Sequence, residues 1–150
     1  MKAIKIFTTI LMCTSILILS SCSKEASIIG EWTVVSSMEK VTESNDEFDY
    51  HNIQESKDDF VGYTFNFMDN QRVIITDIEE NIEFEMSYYK EDNILKIIEQ
   101  EEAISFNIEE LNDTKLYLSI NNTYEDITFD EDRWIDIIST SEITIELKRK

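Results

Sequence analysis

The strongest constraint on this chain is an alternation of apolar and polar residues that recurs in short runs. Tyr63, Phe65 and Phe67 alternate with Thr64 and Asn66, and Ile82, Phe84, Met86 and Tyr88 with Glu83, Glu85, Ser87 and Tyr89. The pattern returns at Ile104, Phe106 and Ile108, at Leu116, Leu118 and Ile120, and at Ile143, Ile145 and Leu147. Successive side chains on a strand point to opposite faces, so each run offers one apolar face. Segment 28–36, with Trp32 and Val34 on one face, and the Ile-rich runs 72–77 and 93–100 bring the count to eight strands. Polar pairs separate the runs: Asp69-Asn70, Glu80-Asn81, Asp92-Asn93, Asn112-Asp113 and Asn121-Asn122. They recur about every ten residues, the spacing of an antiparallel sheet or barrel. The chain has no Pro and only Gly30 and Gly62 as glycines. Its turns therefore fall to Asn and Asp, which tolerate left-handed backbone and close Asx-turns.

The expected fold is all-β: a small antiparallel up-and-down β-barrel of about eight strands, because closure removes sheet edges. A two-sheet sandwich is the rival arrangement. Two segments stand outside the rhythm. Segment 39–59 is polar and acidic with few apolar anchors (Phe48, Tyr50, Ile53), and reads as a long loop with room for a short helix. In segment 123–141, Trp134, Ile137 and Ile138 have helical spacing, which predicts a short helix or irregular stretch covering one barrel end.

The first residues carry a different signal. Lys2 and Lys5 precede an apolar run, 6–19, that is shorter than the roughly 20 residues a membrane-spanning helix needs. A removed signal segment fits it better. The run closes on Leu19-Ser20-Ser21-Cys22, which resembles the lipobox of bacterial lipoproteins. That resemblance implies cleavage before Cys22 and acylation of its sulfur and its new α-amine, and two or more acyl chains anchor a protein stably. Ser23, not Asp, follows the cysteine, and Lys24-Glu25 is similar to a surface-export tag of Bacteroidota lipoproteins. The outer membrane is the expected location. The resulting organisation is a signal peptide over 1–21, an acylated Cys and tether over 22–27, and one domain over 28–150. Cys13 would leave with the signal, so Cys22 is the only remaining cysteine and no disulfide framework is available.

All 32 acidic residues follow Cys22, whereas two of the 13 basic ones, Lys2 and Lys5, precede it, so the formal charge moves from −19 to −21 on cleavage. Such a surface repels nucleic acid, which argues against it as a partner. The lone histidine, His51, sits in the acidic segment, with no Cys or Gly-rich nucleophile elbow to serve. It reads as an exposed loop residue. Asp46-Glu47-Asp49 and Asp130-Glu131-Asp132 lack the spacing and the Gly of a calcium loop and read as solvated charge. No metal, cofactor or catalytic centre is expected. The aromatics Trp32, Tyr63, Phe65, Phe67, Phe84 and Phe106 are the candidates for lining a ligand cavity. An eight-stranded barrel either fills with side chains or holds one small ligand, and large inward residues on nearly every strand favour a filled or narrow interior.

Ile29-Gly30-Glu31-Trp32-Thr33 as a Gly-x-Trp opening, the Tyr63–Phe67 and Leu116-Tyr117-Leu118 strands, and the ending Ile145-Glu146-Leu147-Lys148-Arg149 complete a further likeness. Together with the Cys22 lipobox they resemble the lipocalin-like domain of Bacteroidota lipoproteins. The resemblance implies a meandering barrel with Trp32 packed across its base. The longer acidic first loop and the lack of Gly-rich turns depart from that pattern. The functional expectation is a membrane-anchored, non-enzymatic lipoprotein that binds a small apolar ligand. The alternative is a protein-interaction or inhibitor module using segment 39–59.

Overall fold

The computed structural model describes residues 26–57, 59–130 and 132–150. The signal segment, Cys22 and most of the tether lie outside the described residues. The described residues form nine strands: β1 Gly30–Asn45, β2 Tyr50–Lys57, β3 Tyr63–Phe67, β4 Arg72–Asp77, β5 Ile82–Glu91, β6 Ile94–Glu99, β7 Glu102–Leu111, β8 Lys115–Asp130 and β9 Arg133–Arg149. Every neighbouring pair is antiparallel, and the sheet runs β2-β1-β3-β4-β5-β6-β7-β8-β9. An additional β1–β9 pairing, from Trp32↔Arg149 to Ser44↔Ile138, closes eight of these strands into a barrel. The closed barrel is the arrangement the alternation predicts, and the sandwich is excluded.

The eight strands read from the sequence are the eight of the barrel, while β2 arises inside the segment read as a loop. Segment 39–59 is the upper half of β1, a turn and β2, paired from Met38↔Lys57 to Asn45↔Tyr50. Among its described residues segment 123–141 likewise contains no helix: they belong to a long β8–β9 hairpin, paired from Lys115↔Lys148 to Asp130↔Arg133. Both segments extend the sheet beyond the barrel as four strands in the order β2-β1-β9-β8. Their sequences hide this for a physical reason. Away from the barrel neither face of the sheet encloses a full core, so polar residues occupy both and the period-two signal fades. Cross-strand polar bonds replace apolar contacts there, with Glu43 accepting from the Tyr50 hydroxyl at 3.1 Å and the Asn52 amide at 2.9 Å. In the other hairpin β-branched and aromatic residues together make up ten of residues 123–141, which favours strand over helix. Ile135 and Ile137 are buried on one face, while Trp134 and Ile138 point to the other.

The predicted turn chemistry holds at four of the five polar pairs. Asn81 and Asp92 adopt positive φ (54° and 49°). The Asn70 carboxamide accepts from the backbone N–H of Arg72, and that of Asn112 from Thr114 and Lys115. Asn121-Asn122 is the exception, lying inside β8.

The core fills the lower half of the barrel, where Gly30, Phe67, Glu91, Leu111 and Arg149 mark the strand ends. Trp32, Phe67, Leu95, Leu116, Leu118, Leu147, Val34 and Val73 are at most 2% exposed there. Fully burying a side chain of this size contributes about 1.5–3 kcal/mol. Trp32 anchors this closed end. Its indole N–H donates to the Ile28 carbonyl at 2.7 Å, and the Arg149 guanidinium lies 4.3 Å from its ring centre. Arg149 also donates to the carbonyls of Ile29 at 2.9 Å and Ser27 at 2.6 Å. The N-terminal tether therefore enters at the closed end.

Candidate functional site

The strands tilt, so residues that face one another across the sheet climb as they pass around the barrel. The register row Trp32–Phe65–Ile75–Phe84 crosses four neighbouring strands. It starts at a residue with no exposure and ends at a ring that is 40% exposed. The upper half of the barrel is consequently not filled: a cavity of about 810 Å³ opens at the end opposite the tether. This size falls in the range of small-molecule sites.

Phe60, Tyr63, Phe65, Phe84, Met86 and Phe106 form part of the wall, with Ile75, Ile97, Ile104, Ile120, Ile143 and Ile145 completing its apolar lining. The polar contributions are Glu99, Ser105, Asn121 and Asn122. Four of the six aromatics expected to line a ligand site, Tyr63, Phe65, Phe84 and Phe106, thus meet at the cavity. Trp32 and Phe67 do not: they lie in the packed core below it, where Phe67 stacks on Phe65 at 6.1 Å and meets the Tyr88 ring edge-on at 5.0 Å. The expectation of a filled interior is met only in the lower half. Alternation identifies which face a residue lies on but not its height in the barrel, and height separates these two groups. Phe60 completes the wall without having been singled out by any motif, while Ile104 and Ile143 stood in the alternation as strand-face residues but not as cavity lining.

The wall is split on one side. β7 and β8 pair only from Asn107↔Ser119 to Leu111↔Leu116. Above that the strands part, leaving the upper half of β7 and residues 120–130 of β8 as edges unpaired among the described residues. Ala103 and Ser105 on one side of this slot, and Asn121 and Asn122 on the other, all border the cavity.

The rim is acidic. The β4–β5 turn carries Asp77, Glu79 and Glu80, and the β6–β7 turn carries Glu99, Glu101 and Glu102. No Lys or Arg occurs over residues 73–89 or 97–114. The closed end differs: Arg72, Lys90, Lys115, Lys148, Arg149 and Lys150 gather there, some paired with acids, as in Arg72–Glu85, Lys115–Glu110 and Lys150–Glu31. The Glu110 carboxylate beside Lys115 raises the affinity of that ammonium for its proton. At the rim, the Asp77 carboxylate accepts from the backbone N–H groups of Glu80 at 3.1 Å and Glu79 at 2.9 Å. The Glu80 bond is the largest cause holding its carboxyl below the ordinary value, and the Tyr63 hydroxyl adds to it. The same hydrogen bond raises the Tyr63 phenol above its ordinary value, so this cavity residue keeps its proton.

The remaining sequence candidates lie elsewhere. His51 is on strand β2, exposed and opposite Ser44, not in a loop. Asp46, Glu47 and Asp49 occupy the β1–β2 turn, and Asp130 and Asp132 flank the β8–β9 turn, Glu131 being outside the described residues. Among the described residues no three His, Cys, Asp or Glu side chains converge as metal ligands would.

On the sheet extension, cross-strand pairing places Ile53, Ile127, Phe129, Trp134 and Ile138 on one outer face. They are 55–71% exposed, and the Phe129 and Trp134 rings meet edge-on at 5.2 Å. No protein-family model, curated protein or solved structure matches this chain.

Proposed function

We propose that this chain is a bacterial lipoprotein, acylated at Cys22 and held at the outer membrane, whose lipocalin-like barrel binds a small apolar ligand. The observation that carries the reading is the cavity of about 810 Å³ in the upper barrel, with aromatic and isoleucine walls. Half-exposed apolar side chains at its rim, Phe84 at 40% and Ile104 at 52%, would lose water contact on ligand entry. Such burial is worth about 25 cal/mol per Å² of apolar surface. The closed end, with the tether, would face the membrane and the mouth would point away from it. No step in this reading requires catalysis.

A soluble form beginning at Ala26 contains all nine strands and the whole core, and suits the test. Titration with an uncharged apolar fluorescent probe should saturate at one probe per chain; absence of saturation would refute the pocket reading. The anchor is tested separately: Cys22→Ala should abolish acyl labelling, and unchanged labelling would sink the lipobox assignment.

A second reading is a protein-contact module on the sheet extension built from the 39–59 and β8–β9 hairpins. It is favoured by the single outer face that exposes Ile53, Phe129 and Trp134. Under it, Phe129→Ser with Trp134→Ser removes a co-purifying partner while probe binding persists.

A further inference from the structure

We propose that the cavity selects amphiphiles carrying a cationic head group, the apolar tail entering the barrel and the charge resting among the rim carboxylates. This rests on the ligand-binding reading above and names the ligand class for that same site. The tail end is set by the wall chemistry, with Phe65, Ile97 and Ile145 on the cavity wall and only 4–6% exposed. An apolar chain displaces water there, whereas a charge would pay its desolvation with no partner.

The head group is set at the mouth. Glu99 borders the cavity itself, and Ser105, Asn121 and Asn122 add hydrogen-bonding groups beside it. The two turns that stand over the opening carry Asp77, Glu79, Glu80, Glu101 and Glu102, and no Lys or Arg lies on either turn or on the flanking stretches 73–89 and 97–114. A cleft lined by one sign of charge over low-dielectric walls concentrates the opposite sign, by about 10- to 1000-fold in favourable cases. The same field opposes a carboxylate or phosphate head group. Arg72, Lys90, Lys115, Lys148, Arg149 and Lys150 sit instead at the closed end; Lys40, Lys57 and Arg133 lie on the sheet extension and Lys96 within β6, none of them on the two turns. An apolar cavity under two turns of one sign fits a cationic amphiphile better than a fatty acid or an uncharged lipid.

The test uses the soluble form beginning at Ala26 and three probes with one tail: decyltrimethylammonium, decanol and decanoate, all below micelle formation. Calorimetric titration is run at low and high salt, on the native sequence and on Ile104→Trp. Ile104 borders the cavity on the same face of β7 as Phe106 and is itself exposed, so a larger side chain there obstructs the cavity without changing any charge. The expected result is decyltrimethylammonium binding about tenfold or more tighter than decanoate, a preference that shrinks with salt. Ile104→Trp should weaken that binding, and Glu99→Gln should lower the preference for the cation over decanoate. Equal binding of all three probes would overturn the head-group inference and leave the pocket reading standing. Binding of none would overturn both. Cation binding that Ile104→Trp leaves intact would mean adsorption to the acidic surface and would also overturn the inference.

Discussion

Gly30→Ala probes the closed end most sharply, because two separable costs meet at that residue. Gly30 has φ of 129°, a region that residues with a Cβ rarely occupy. Forcing alanine into it costs about 1–3 kcal/mol. The added Cβ would also lie 2.8 Å from Arg149 Nη1, too close for contact. A flexible side chain could normally swing away, but this guanidinium is held by the Ile29 and Ser27 carbonyls and by the Trp32 ring. These bonds are exposed to solvent, so displacing them costs about 1–2 kcal/mol, near the lower range for charge-assisted bonds. The total is about 2–5 kcal/mol. Gly62 supplies the control: its φ is 98°, yet nothing lies within 4 Å of its added Cβ. Gly62→Ala should show the backbone cost alone. Urea unfolding of both variants, and of Gly30→Ala combined with Arg149→Ala, separates the two costs. We expect Gly30→Ala to exceed Gly62→Ala by about 1–2 kcal/mol, and that excess to vanish once Arg149 is truncated, a coupling in the range of contacting residues. A Gly30→Ala cost no larger than that of Gly62→Ala, and additive with Arg149→Ala, would refute the clamp.

Three other substitutions follow from the same geometry. Leu118 has no exposure and pairs across to Ile108 and Ile145, so Leu118→Ala should cost about 2–5 kcal/mol in urea unfolding; a loss under about 1 kcal/mol would contradict the packed lower core. Ile104→Ala removes a side chain that is 52% exposed at the cavity wall, so stability should change by about 0.5 kcal/mol or less while apolar-probe binding weakens; the reverse pattern would place Ile104 in the core. Asp77 has a folded-state carboxyl held below its ordinary value of 3.8, chiefly by the Glu80 backbone N–H. Its contribution is present above the unfolded value and is lost as pH falls through the folded one. Asp77→Asn should therefore be less stable than the native sequence at neutral pH and converge on it in strong acid; a gap independent of pH would contradict the linkage.

The barrel was legible because closure enforces a rule the sequence must obey at every strand: one face buried, the other wet. Tyr63–Phe67 and residues 143–148 show that rule plainly, and their strands appear where alternation places them. The extension was illegible for the converse reason. Glu39, Val41 and Glu43 pair with Ile143, Ser141 and Ser139, yet no full core lies beneath them, so nothing demands a pattern. Trp134, Ile137 and Ile138 fit a helical stripe by spacing, but the first and last face away from Ile137, as strand parity requires. The cavity was half legible. Tyr63, Phe65, Phe84 and Phe106 were visible as large inward residues, but so were Trp32 and Phe67, and only strand tilt distinguishes rim from floor. Gln71 and Gln100 also take turns at positive φ, 63° and 55°, without belonging to any Asn or Asp signal.

The unpaired edge of β8 has a consequence for how copies of this protein meet one another. From residue 120 to 130 a long strand lacks a second neighbour among the described residues, and it carries neither a proline nor a lysine, two common guards against edge-to-edge association. Its outward residues include Ile127 and Phe129, which would favour stacking between copies. What stands against that contact is repulsion: Glu125, Asp126 and Asp130 lie along the strand itself, in a chain of formal charge −19. Colloidal stability thus depends on ionised carboxylates. It weakens as salt screens them and as pH approaches the isoelectric point near 4.2. The acidity that shapes the mouth also keeps the open sheet edge from joining its own copies.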